Sequence, residues 1–157
     1  MATQFVLFVS YSQIAVFRSG LPNPFSDWTQ EHVEQGFAYR DGSVSFRTIL
    51  EGGSAEITIE VRDYSTALSP AVRRAIEVPY VVTEDGEVEV ASISESVLLD
   101  LTPGSYALRF EDFTEPAAVK GSCKLTFMRS DSTKPSVLMG DDEVKVRDSY
   151  LMEARAA

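Results

Sequence analysis

The sequence predicts a mostly β protein, a β-sandwich with one short helix near residues 28–36. Three observations carry that prediction. Short segments rich in Val, Ile, Phe and Tyr recur at spacings of roughly ten residues. One of them, residues 55–61, alternates cleanly, with Ala55, Ile57, Ile59 and Val61 on one face and Glu56, Thr58 and Glu60 on the other. Turn signals separate the segments at Asp41-Gly42, Gly52-Gly53, Glu84-Asp85-Gly86 and Thr102-Pro103-Gly104. A chain of 157 residues with 44% apolar residues suits one domain with a single core.

The elements follow in chain order. Residues 4–9 and 11–17 read as opening strands, and Pro22, Pro24 and Ser26 then break the pattern. From Asp27 to Gly36 the chain reads as a helix. Asp27 or Thr29 caps its free amides, and Gly36 supplies the left-handed residue that ends it. Trp28 and Val33, with Phe37, are its apolar side, and Trp28 is expected as a core anchor. Asp41-Gly42 turns the chain into a strand over 43–49. Residues 64–74 read as a loop or a helical turn. Strands at 76–83 and 86–92 are joined by Glu84-Asp85-Gly86, read as a hairpin turn, and strands at 96–101 and 105–110 flank Thr102-Pro103-Gly104. Residues 122–129 add another. The sandwich domain is thus expected over 1–130. Residues 131–157 form a C-terminal extension, with an edge strand at Val144-Lys145-Val146 and a frayed end from Glu153.

Charge is unevenly spread. The net charge is −10, and residues 77–115 hold ten acids (Glu77, Glu84, Asp85, Glu87, Glu89, Glu95, Asp100, Glu111, Asp112 and Glu115) against the single base Arg109. The other segments hold 14 acids and 13 bases and are close to neutral. A one-sided field steers a basic partner and repels nucleic acid, so direct DNA or RNA binding is not expected. No apolar stretch approaches the roughly 18 residues of a membrane span, and Phe5–Val9 is too short for a signal-peptide core. The lone cysteine, Cys123, allows no intrachain disulfide. The expected location is the cytoplasm, with peripheral attachment at the inner face of a membrane complex compatible with all of this. The sequence carries no sign of oligomeric state.

Catalytic signatures are missing. His32 is the only histidine and reads as a surface residue. No nucleophile motif surrounds it. Cys123 alternates with Leu125 and Phe127, so it reads as a buried, inert thiol. One His and one Cys do not make a zinc site, and Gly52-Gly53 lacks the pattern of a phosphate loop. No catalytic residue, metal ligand or cofactor is therefore assigned. The most pointed charged feature is Glu84, Asp85, Glu87 and Glu89. Carboxylates two apart on a strand share a face at about 6.6–6.8 Å, the order of the phosphate spacing on a nucleic-acid strand. A solvated outer face is the competing explanation of the same row.

Asp27-Trp28-Thr29, Glu34, Gly36, Ala38, Asp41-Gly42 and Ser45-Phe46 together resemble the competence protein J family, the inhibitors of DNA-entry nucleases. Upstream, Ser10-Tyr11, Gln13 and Val16-Phe17 are similar to the family's opening strand. Downstream, Val78-Pro79-Tyr80, Val82-Thr83-Glu84 and Gly86 look like its central hairpin, and Leu101, Pro103-Gly104 and Tyr106 like its later turn. The resemblance runs from about residue 10 to residue 110, and the chain departs from the family after residue 130. It implies a non-catalytic protein that binds and blocks a DNase. Asp27, Trp28, Thr29, Gly36, Asp41 and Gly42 have structural explanations. Partner binding is expected instead from Glu84, Asp85, Glu87 and Glu89, with Glu111 and Asp112, docked against the bases that hold DNA. The competing expectations are an immunity or adaptor module for another protein, a small carboxylate-based hydrolase, and a carbohydrate-binding sandwich using Trp28 and the tyrosines.

Overall fold

The computed structural model describes residues 2–157. In chain order its elements are β1 (Ala2–Val9), β2 (Gln13–Arg18), β3 (Ser26–Asp27), α1 (Gln30–Gln35), β4 (Phe37–Arg40), β5 (Ser43–Arg47) and β6 (Gly53–Arg62). There follow β7 (Arg74–Val82), β8 (Glu87–Ala91), β9 (Ser96–Asp100), β10 (Gly104–Asp112), β11 (Gly121–Arg129), β12 (Ser136–Met139) and β13 (Arg155–Ala156). One sheet has the order β1-β6-β11-β10-β7-β12, a second β4-β5-β2-β8-β9, and β13 pairs with β3. The two large sheets face each other as a sandwich.

Strand alternation builds the core. Leu7, Ile57, Leu108, Leu125 and Phe127 point inward from the first sheet, and Ile14, Val16, Val44, Val88 and Val90 from the second. Phe46 of β5 and Phe110 of β10 stack across the gap with ring centroids 5.0 Å apart. Most neighbours are antiparallel, but β6 and β11 run parallel, with Ala55 beside Gly121 and Arg62 beside Met128. β4, not anticipated as a strand, pairs with β5 around the Asp41-Gly42 turn.

The hairpin expected at Glu84-Asp85-Gly86 is something else. β7 belongs to the first sheet and β8 to the second, so Thr83–Gly86 carries the chain across the sandwich. β9 and β10 divide in the same way, and so do β1 and β2 through the Tyr11-Ser12 turn. Each turn reverses the chain as its residues dictate, but its two arms pair with different neighbours.

The helix begins and ends as its sequence signals require. The Thr29 hydroxyl accepts from the His32 amide, the Thr29 amide donates to His32 Nδ1 at 3.0 Å, and Gly36 closes the helix with φ +85°. A Cβ on Gly36 would stand 2.8 Å from Val144 Cγ1, so the position is packed as well as left-handed. Its buried side is not the expected one. His32 and Gln35 are buried, while Trp28 and Val33 are only half-buried at the rim, with the Trp28 ring edge-on to His32. His32 is therefore no surface histidine, and Trp28 is no core anchor.

The reason lies in the C-terminal segment. Gln35 exchanges hydrogen bonds with the backbone of Leu151 at 2.9 Å each way, and His32 Nε2 donates to the Glu153 carbonyl at 2.9 Å. The expected strand at Val144–Val146 is absent. The added edge strand is β12, paired with β7, and Val144 is instead buried beside Gly36. Arg74, fully buried, holds Asp141 through two hydrogen bonds and reaches Glu143. The end expected to fray pairs as β13 with Ser26 and Asp27.

Candidate partner interface

The two crossovers at one end of the sandwich clasp each other. The Gly86 amide donates to the Thr83 carbonyl at 2.9 Å to close the first turn, and the Leu101 amide donates to the Gly86 carbonyl at 2.8 Å. Gly86 has φ +71°, and a Cβ there would come within 2.5 Å of the Leu101 carbonyl oxygen. The second crossover is pinned by the Tyr106 hydroxyl on the Thr102 carbonyl. Backbone contacts thus fix the backbone positions from which the acidic side chains of this corner project.

Glu84, Asp85, Glu87 and Asp100 are exposed in this corner. Asp85 Oδ1 accepts from the Glu87 amide at 3.1 Å and from Thr83 Oγ1 at 2.9 Å, and these bonds, the first above all, hold its pKa below the usual carboxylate value. Glu87 stands directly opposite Asp100 across β8 and β9. Like charges in that register oppose pairing, so the sheet holds them together against their own repulsion. Glu89 shares the outer face with Glu87, as the alternation requires, but is half-buried and accepts from Ser19 Oγ at 2.9 Å.

Glu111 and Asp112 do not join this surface. They are 2% and 0% exposed: Glu111 lies under the loop between β6 and β7, and Asp112, on the same face of β10 as core residue Phe110, points inward. Glu111 accepts from the Ser69 amide at 2.8 Å, and Asp112 accepts from the amides of Ile49 and Thr114 at 2.9 and 3.0 Å. Both carboxylates hold loops to the sandwich and are out of a partner's reach. Glu77 is likewise committed, paired with buried Arg109 at 2.9 Å. Asp100 joins the corner only through its pairing with β8, which local sequence does not announce.

The remaining candidates are internal. Both His32 nitrogens are already engaged, and burial pushes the Cys123 thiol well above its ordinary pKa. Among the described residues no three of His, Cys, Asp and Glu gather as a metal site would require, and no helix is long and apolar enough to cross a membrane. The turn at Asp41-Gly42 and the cap at Thr29 lie where the sequence put them.

Comparison with known proteins bears on this arrangement. The model of the family Competence protein J (ComJ) matches residues 6–128. A protein of Bacillus subtilis (strain 168) named DNA-entry nuclease inhibitor is 35% identical over 103 residues, covering 65% of this chain and 75% of that protein. The crystal structure of ComJ from Bacillus subtilis, described as an inhibitor of the DNA degrading activity of NucA, superposes with a TM-score of 0.71 at 25% identity. That match covers 82% of this chain and 96% of the other. The solved structure of Crocagin biosynthetic gene J shares the fold, with a TM-score of 0.53 at 13% identity over 80% of this chain and 96% of that one.

Proposed function

The chain belongs to the competence protein J family, and from that membership we propose that it binds a DNA-entry nuclease and blocks it stoichiometrically, without catalysing a reaction. The observation that carries this is the relative named as a DNA-entry nuclease inhibitor, similar over three quarters of its length. The sandwich offers no competing chemistry at its one histidine, whose ring is fully hydrogen-bonded.

In this proposal Glu84, Asp85 and Glu87 meet the bases that otherwise hold DNA phosphates, with Glu89 beside them. Glu111 and Asp112 drop out because they are buried. Asp100 takes their place, since it stands against Glu87. Charge of this sign steers a basic partner and keeps nucleic acid away, so the protein blocks the nuclease and not its substrate. It works in the cytoplasm, free or held at the inner face of a membrane complex through the nuclease it binds.

The test is a titration of DNase activity with purified protein and a DNA-entry nuclease from the same organism. Loss of activity at equimolar protein is expected. Full activity at large excess, with no complex on gel filtration, would remove the proposal. Replacing Glu84, Asp85, Glu87 and Glu89 by their amides is expected to weaken inhibition and flatten its dependence on salt. Unchanged inhibition would move the contact elsewhere on the sandwich.

A further inference from the structure

β1 ends the six-stranded sheet, and among the described residues no strand pairs with its other edge. In an antiparallel pair, alternate residues turn N–H and C=O to the same side. The Phe8 amide faces away from β6, because it donates to the Glu95 carboxylate. Gln4 and Val6 share its phase and turn their N–H and C=O groups outward too. β1 therefore offers a row of backbone donors and acceptors to any strand laid beside it.

Edges of this kind are normally blunted by charges, proline or a bulge. From Ala2 to Val9 there is no Asp, Glu, Lys, Arg or Pro, and the register with β6 runs unbroken from Ala2↔Glu60 to Val9↔Gly53. On the outer face Val6 and Phe8 are 64% and 52% exposed. The strand at the other end of this sheet, β12, has four residues and an irregular register. Among the protective devices, β1 has only Glu95, a side chain that can leave.

Charge selects the occupant. Glu95 caps the edge, and exposed Glu56 stands opposite Val6 in register. A second copy, itself carrying −10, would bring these acids against their own kind. A basic segment would gain from both. Resting on the inhibitor reading, we propose that an extended segment of the nuclease adds to β1 as a further strand. Its apolar side chains cover Val6 and Phe8, and a lysine or arginine draws Glu95 off the Phe8 amide. The acidic corner then steers the encounter, and the edge supplies directional hydrogen bonds.

Val6→Pro removes an outward N–H that β6 does not use, so the sheet is expected to survive it. Val6→Lys keeps the backbone and places a cation against a basic partner, and it carries the test if the proline variant does not fold. With a DNA-entry nuclease from the same organism, each variant is expected to raise the half-inhibiting concentration about tenfold or more. Hydrogen exchange at Gln4 and Val6 is expected to slow only in the complex. If wild-type protein blocks the nuclease, both variants block it equally, and these amides exchange as in the free chain, the edge proposal falls while the inhibitor reading stands. If wild-type protein neither binds nor blocks, both fall. Protection of Gln4 and Val6 that rises with concentration in the chain alone would make the occupant a second copy and overturn the proposal.

Discussion

At Gly86 an alanine would meet a left-handed backbone, φ +71°, and the Leu101 carbonyl oxygen 2.5 Å from its Cβ. Gly86→Ala is expected to lower unfolding free energy by about 1–3 kcal/mol from backbone strain, read as a lower urea midpoint. It is also expected to weaken inhibition in the folded fraction, because the same residue aligns Glu87 with Asp100. The glycine was readable as a turn residue, but its second role, as the acceptor for Leu101, was not. Burial misled in the same way at Glu111 and Asp112. Nothing local marks them as buried: the loop that brings Ser69 to 2.8 Å from Glu111, and the Ile49 amide that Asp112 accepts from, come from distant parts of the chain.

At the scale of elements, local chemistry was the reliable guide. Thr29 and Gly36 announce the two ends of α1, and the alternation of residues 55–61 lies inside β6. Glu84-Asp85-Gly86 announces a reversal, but a turn does not specify which sheet takes each arm, so a crossover and a hairpin carry the same local signal. The tail follows the same logic, since its partners are far away in sequence. Partial burial raises the Asp141 pKa, but hydrogen bonds from Arg74 and from the Val144 and Glu143 amides outweigh it and leave the value lowered. A carboxyl lowered on folding contributes stability that is complete above its unfolded pKa, about 3.9, and is lost as pH falls through the folded value. Protection of the Val144 and Lys145 amides from hydrogen exchange, taken relative to the intrinsic rate at each pH, is thus expected to fall below about pH 4. Asp141→Asn is expected to show the lower protection at neutral pH, and identical exchange in both proteins at all pH values would remove Asp141 as the latch.

The whole molecule is a sandwich closed along one side by its own C-terminal segment. Tyr150 lies against Phe37 with ring centroids 5.8 Å apart and accepts from the amides of Val137 and Arg147. A chain ending at Asp148 loses this ring and the partners of His32 and Gln35. Its stability is expected to fall by roughly 2–4 kcal/mol, measured by thermal and urea unfolding, while its acidic corner stays in place. Inhibition by the shortened protein below its unfolding temperature would separate the closing segment from the nuclease contact.

The dependence of α1 on this segment has a consequence for how the protein is made. His32 and Glu153 are 121 positions apart, and Gln35 and Leu151 are 116 apart. The helix leaves the ribosome early, six residues long and too short to persist by itself, while the carbonyls that complete it have not yet been synthesised. This corner therefore closes only after residues 151–153 have been made, and a nascent chain that stops short of them carries α1 unanchored.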